Sequence, residues 1–157
     1  MVPVVPCRLD RINPLRLILP AAVLLLASCQ AGSPQPAFEA TNAFIYAPLT
    51  PAQGAGYFVL HNRTPEPDTL LAVTVDWARA TTIHQTSESD GMVRMSHLSH
   101  VAVPAMDSLT LAPGGIHLMF MDLSRMPVAG DTVQIQLHLQ RGGVVAVRAA
   151  VRPYGQE

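Results

Sequence analysis

Hydrophobic and polar positions alternate in short segments along most of the chain after residue 42. The clearest alternation is in "DTVQIQLHLQ", where apolar residues occupy every second position from Val133 to Leu139. Such alternation is typical of a strand with one buried face. Further short apolar segments are separated by Pro, Gly, Asn and Asp, and none is convincingly helical. The pattern predicts an all-β domain of eight or nine strands, an antiparallel Greek-key β-sandwich or barrel.

Two turn signals refine this prediction. Asp90-Gly91 separates "ATTIHQTSE" from "MVRMSHL" and predicts a tight hairpin. Downstream, Pro113 and two glycines predict a sharp entry into a strand that starts near Ile116. Alternation in that strand assigns Ile116, Leu118 and Phe120 to the core, and it places His117, Met119 and Met121 together on the other face.

The first part of the chain has a different character. Arg8, Arg11 and Arg16 precede the apolar run "LILPAAVLLLAS", which is typical of a secretory signal. The run ends in "LASC", which resembles a bacterial lipobox and implies cleavage before Cys29 and lipidation of its thiol. The alternative is an ordinary signal peptide with an incidental cysteine. We therefore expect a signal peptide over 1–28, a flexible tether over 29–41, the folded domain over 42–153, a tail over 154–157, and a lipid-anchored protein of the cell envelope.

Composition removes several classes of function. The 157 residues carry a net charge of −1 and only 13% charged residues, so nothing indicates nucleic-acid binding. The two cysteines, Cys7 and Cys29, fall in the signal and at the lipid site, so the mature domain has neither a disulfide nor a free thiol for chemistry. No arrangement of Ser, His and acidic residues indicates a catalytic site, and we expect a protein that is not an enzyme.

Methionine and histidine are concentrated in one part of the chain. Six of the seven methionines lie between Met92 and Met126, and four of the six histidines lie nearby. Ten residues separate His84 from Met95, twenty-one separate Met95 from His117, and one separates His117 from Met119. This spacing, H-x10-M-x21-H-x-M, together with "GAGYFVLHN" and "VPAMDSLTLAPGGIHLMFMDL", resembles the PCuAC family of periplasmic copper(I) chaperones, over about residues 43–151.

The resemblance implies a cupredoxin-like β-sandwich that binds one Cu(I) ion through His84, Met95, His117 and Met119. It also implies a role in delivering copper to a haem–copper respiratory oxidase, or in copper homeostasis. The expected partner is a copper-accepting protein, either an oxidase subunit or its assembly factor, and the chaperone itself is expected to be a monomer.

The chemistry of these side chains agrees with the resemblance. Thioether sulfur is a soft, neutral ligand that favours Cu(I), and imidazole also suits copper. Two methionines and two histidines form a poor set for zinc, which prefers thiolate, imidazole and carboxylate. A blue-copper electron-transfer site would need a cysteine thiolate, which the mature domain lacks.

Some assignments stay open at this point. Met92 could replace Met95, and Met121 could line the site or pack beside it. His97 and His100 are expected to be surface-loop residues, and Thr86 stands where many family members carry a further methionine. A second possibility is a β-sandwich lipoprotein that binds no metal and acts as a protein- or envelope-binding module, with methionine as core filler. A third is a copper-storing or copper-detoxifying protein with the same site.

Overall fold

A computed structural model describes residues 35–155, which form ten β-strands. The strands are β1 (Phe38–Tyr46), β2 (Gln53–Asn62), β3 (Asp68–Thr74), β4 (Ala78–Ser89), β5 (Met92–Leu98), β6 (Val101–Val103), β7 (Asp107–Leu111), β8 (Ile116–Leu123), β9 (Thr132–Leu139) and β10 (Gly143–Arg152). The all-β prediction is confirmed, with one or two strands more than the sequence indicates. Within this range there is no helix, and hence none that is long and apolar enough to cross a membrane.

The boundary of the folded domain lies earlier than the sequence predicts. Strand β1 begins at Phe38, so residues 38–41 of the predicted tether belong to the sheet. The predicted tail also contacts the domain, because the ring of Tyr154 packs edge-on against Tyr46 with centroids 5.8 Å apart. The predicted signal peptide and Cys29 lie outside the described residues.

The strands form one mixed sheet in the order β5-β4-β8-β2-β1-β10-β9-β3-β6, with β7 paired to β2. The sequence predicts antiparallel pairing throughout, but β1 and β10 run parallel, with Phe44 opposite Ala150. A tight hairpin can join only antiparallel strands. These two strands are the first and last of the domain, and the whole domain between them serves as their connection.

The core follows the alternation of the sequence. In β9, Val133, Ile135, Leu137 and Leu139 are all buried, as predicted. In β8, Leu118 and Phe120 are buried, while Ile116 is partly buried and packs against the core.

The Phe120 side chain of β8 packs closely against Gly56 and Trp77. A Cβ at Gly56 would lie 2.8 Å from the Phe120 ring, so glycine at this position of the neighbouring strand β2 leaves room for that ring. Trp77, just before β4, is buried and packs on the same ring at 4.6 Å between centroids.

Both predicted turns are present. Asp90 and Gly91 have φ angles of 54° and 69°, the left-handed pair that a two-residue hairpin requires. Gly114 supplies a φ of 76° at the entry to β8. The Asp90-Gly91 turn fixes the register of β4 against β5, two of the three strands that carry the predicted metal ligands, and the Gly114 turn begins the third, β8.

A buried carboxylate fixes the hairpin at the other end of the sheet. Asp68, at the start of β3, accepts hydrogen bonds from the backbone N–H groups of Thr69 (2.6 Å), Arg141 (3.0 Å) and Gly142 (2.7 Å). Burial by itself would raise the pKa of Asp68, but the backbone donors stabilise the charged form and hold its pKa below the ordinary value.

Candidate metal centre

The register of three neighbouring strands brings the four predicted ligands onto one face of the sheet. His84 in β4 is directly opposite His117 in β8, and the neighbouring pair on this face joins Thr82 to Met119. On the other side of β4, Thr86 is opposite Met95 in β5. Side chains of directly opposed residues in antiparallel strands lie on the same face, and so do those two residues apart along a strand.

Three of the four side chains line a single open groove. Met95, His117 and Met119 contribute to its wall together with Thr86, and the groove has a volume of about 870 Å³. Aromatic and apolar side chains complete the wall, namely Tyr46, Tyr57, Tyr154, Pro48 and Leu49. His84 does not line the groove. Its ring lies next to that of His117, with centroids 6.0 Å apart.

His117 is held with one ring nitrogen committed to the backbone. The residue is 6% exposed, and its Nδ1 is 3.0 Å from the carbonyl oxygen of Gly115. Because a carbonyl can only accept, Nδ1 carries a proton and donates it, so Nε2 is the ring nitrogen that remains for an ion. A ring nitrogen that donates to a backbone carbonyl is the usual arrangement behind a metal-binding histidine.

In His84 the other ring nitrogen, Nε2, is the one with a hydrogen-bond partner. Its Nε2 is 3.0 Å from the hydroxyl oxygen of Thr82, while its Nδ1 is buried and has no hydrogen-bond partner in the protein. Buried polar atoms are nearly always paired, so an unpartnered ring nitrogen fits a position that an ion completes.

Burial lowers the pKa of His84 below its ordinary value, and the neighbouring imidazoles of His117 and His97 add to this effect. The ring is therefore neutral at pH 7, with a lone pair available for an ion.

The two methionines differ in exposure. Met119 lies in the interior strand β8 and is partly buried, whereas Met95 lies in the edge strand β5 and is 54% exposed. The Met119 side chain is thus flanked by strands on both sides, whereas the Met95 side chain is open to solvent at the edge of the sheet.

Histidine, cysteine and acidic side chains do not cluster in threes in the part of the chain that the structure describes. Across residues 35–155, no three His, Cys, Asp or Glu side chains are placed to hold a metal ion together. A centre with three or more side-chain ligands at this face would therefore include sulfur from methionine.

The structure places the other candidate methionines outside this group. Met92 pairs with Ser89 and falls on the opposite face of β5 from Met95. Met121 shares the face of His117 and Met119, but it is opposite Ala80 and Gln53, one pair further from His84.

His97 is the residue that the sequence interpretation missed. The sequence predicts that His97 lies in a surface loop, but it lies in β5 directly opposite His84. The centroids of the two rings are 5.7 Å apart. The signal was present in the sequence. A two-residue turn at Asp90-Gly91 pairs Ser89 with Met92, and counting back along both strands brings His84 opposite His97. His100, by contrast, lies after the end of the strand, as expected, and its Nδ1 is 2.9 Å from the hydroxyl of Ser99.

Comparison with known proteins confirms the resemblance that the sequence indicates. The model of the LpqE-like family, whose description names a lipoprotein, matches residues 38–151. No curated protein matches the chain.

Solved structures with a similar fold include PCuAC domains. The copper-bound PCuAC domain from PmoF2 is 24% identical, with a TM-score of 0.64, over 74% of this chain and 93% of that one. The solution structure of CuI-DR1885 from Deinococcus radiodurans is 29% identical, with a TM-score of 0.59, over 78% of this chain and 81% of that one.

Proposed function

The chain belongs to the LpqE-like family, and from this premise we propose that it is an extracytoplasmic metallochaperone that binds Cu(I) as its cargo. The observation that carries the proposal is the convergence of His84, Met95, His117 and Met119 on one face of three adjacent strands. Neighbours of the same fold are described with bound copper, as a copper-bound PCuAC domain and as a CuI form.

The donor set fits the proposed cargo. Two thioethers and two imidazoles match the preference of Cu(I) for soft and borderline ligands. A thioether has no proton to lose and, unlike a thiolate, does not form disulfides, so the set suits an oxidising compartment. The unpartnered Nδ1 of His84 and the free Nε2 of His117 are the imidazole atoms that we assign to the ion.

The position of the site favours transfer rather than electron exchange. Met95 lies on an edge strand and is more than half exposed, so a ligand from an acceptor protein can approach this side and displace it first. His117 and Met119 lie deeper in the wall of the groove and would release the ion last. The protein would act as a non-catalytic carrier, with ligand exchange as its only chemistry.

The proposal extends to location and recipient. We assign the protein to the envelope side of the membrane, as a monomer anchored through a lipid on Cys29, and we assign as recipient a copper-accepting protein such as a respiratory oxidase subunit or its assembly factor. Oxidase assembly in a deletion strain at limiting copper tests the recipient. Full oxidase activity in that strain would favour storage over delivery.

The site itself is tested by anaerobic Cu(I) titration against a competing chelator. Replacing Met95 and Met119 together by Leu should lower Cu(I) affinity by more than the roughly 10- to 100-fold that loss of an outer-shell partner costs, because two direct ligands are removed. Met92→Leu is the matched control, since Met92 is in the same strand as Met95 and about equally exposed, at 52%, but on the other face.

Unchanged affinity in the double variant would refute the assignment of these ligands. Methyl NMR of the methionines adds a second criterion. Cu(I) should shift Met95 and Met119, and the absence of any shift would favour a β-sandwich module that binds no metal.

A further inference from the structure

His97 extends the row of imidazoles on the metal-binding face across a third strand. It is directly opposite His84 in the β4–β5 pair, as His117 is in the β4–β8 pair. The ring centroid of His84 is 5.7 Å from that of His97 and 6.0 Å from that of His117. His84 thus stands between two other imidazoles and can share an ion with either neighbour.

The spacing of the His84–His97 pair is compatible with chelation. Two imidazoles that bind one ion through nitrogens at about 2.0 to 2.1 Å have ring centroids no more than about 6.5 Å apart. The pair at 5.7 Å is within this limit, and the exposed ring of His97 is free to turn toward its neighbour. The unpartnered Nδ1 of His84 supplies one binding atom.

The ligands on the two sides of His84 differ in chemical character. Toward β8 the ion meets His117 and the thioether of Met119, a set that suits Cu(I). Toward β5 it meets His97 at the exposed margin, where water can complete the coordination sphere. Imidazole and water suit borderline divalent ions, among which Cu(II) binds most tightly.

We propose that His84 and His97 form a second, two-imidazole site that binds Cu(II) at the open edge of the sheet. The inference rests on the proposed function, because His84 serves both sites. Since one imidazole cannot fill both, the protein binds either Cu(I) on the methionine side or Cu(II) on the His97 side, and never both at once.

Substitution of His97 tests the proposal with the full protein. His97→Ala should lower Cu(II) affinity at least 10-fold and remove one nitrogen from the Cu(II) EPR spectrum, while Cu(I) affinity stays within about twofold of wild type. His100→Ala is the matched control, because this histidine is also exposed and only three residues away, but it lies beyond the strand. It should change neither affinity. Unchanged Cu(I) binding also shows that the His97 variant is folded.

The outcomes separate this inference from the proposed function. Equal Cu(II) affinities for the His97→Ala and His100→Ala variants would overturn the second site and leave the Cu(I) site untouched. Cu(II) binding that depends on His97 in a protein without measurable Cu(I) affinity would support the second site and refute the Cu(I) carrier. A wild-type protein loaded with Ag(I), a redox-inert substitute for Cu(I), should lose the two-nitrogen Cu(II) signal. Persistence of that signal would overturn the shared role of His84.

Discussion

Single side chains at the candidate site are oriented by hydrogen bonds that leave one ring nitrogen free. His117 is fixed by the carbonyl of Gly115, and His84 by the hydroxyl of Thr82. Both partners orient their rings, and the carbonyl of Gly115, which can only accept, also selects the tautomer of His117. We therefore expect the hydrogen-bond partners of His84 and His117 to affect the copper affinity of the proposed site.

Removing the partner of His84 should weaken copper binding without removing a ligand. We expect Thr82→Val to lower Cu(I) affinity about 10-fold, because the His84 ring loses the contact at Nε2 that orients it. Chelator competition measures the change. Thr74→Val is the matched control, since the Thr74 hydroxyl is 2.9 Å from Nε2 of His138, a threonine–histidine pair away from the site. Equal affinities for the two variants would show that Thr82 does not orient His84.

At the scale of elements, the site depends on the register of β4 against its two neighbours. The Asp90-Gly91 turn sets the β4–β5 register, and Phe120 of β8 packs in the core against Gly56 and Trp77. A shift of one residue in either pair would turn its ligands to the other face, because side chains alternate along a strand. Hairpin geometry and core packing thus decide which side chains meet.

The hairpin between β9 and β10 depends in the same way on Asp68. Asp68→Asn should reduce the free energy of unfolding by about 1 to 3 kcal/mol at pH 7, because the backbone donors of Arg141 and Gly142 lose a charged acceptor. Chemical denaturation measures this. Asp107→Asn is the control, since Asp107 makes the same bond to the following residue, Ser108 (2.7 Å), but is exposed. It should change stability by less than about 0.5 kcal/mol.

The pH dependence of stability follows from the lowered pKa of Asp68. Its contribution is fully present above the unfolded-state pKa of about 3.9, and it is lost as the pH falls through the lower folded-state pKa. The wild-type protein should therefore lose stability below about pH 4 to a greater extent than the Asp68→Asn variant. Parallel stability curves for the two proteins would contradict the role of the charged form.

At the scale of the whole molecule, one sheet joins both ends of the domain and presents the site at its margin. The parallel β1–β10 pair links the first strand to the last, while β5, at the far end of the strand order, remains an edge. The buried core and the open edge strand are thus separate regions, so a ligand at the edge can exchange while the core stays intact. This separation suits a carrier.

Copper should stabilise the whole fold, because an ion that binds only the native state shifts the unfolding equilibrium. With free Cu(I) at about 100 times the dissociation constant, the stabilisation is about 2.7 kcal/mol, which should raise Tm by several degrees. Anaerobic thermal unfolding with and without Cu(I) measures the shift. The Met95→Leu, Met119→Leu double variant should show a much smaller one, and an equal shift would place the ion elsewhere.

The sequence by itself determined the all-β class, the two tight turns and the core face of β8 and β9. These features depend on the alternation of apolar and polar residues and on the conformations that glycine allows, and both are determined by residues close together in the sequence. The proposed ligands, His84, Met95, His117 and Met119, came from the resemblance of their spacing to the PCuAC motif.

Only the tertiary structure decided how these segments meet. The parallel β1–β10 pair joins residues more than a hundred positions apart, and no local pattern encodes it. The Asp90-Gly91 turn predicts the β4–β5 register, and with it which residues of β5 share a face with His84. The pairing of β4 with β8 joins strands that are not neighbours in the sequence, so no turn sets it. Only this pairing shows that the face of His84 also carries His117 and Met119.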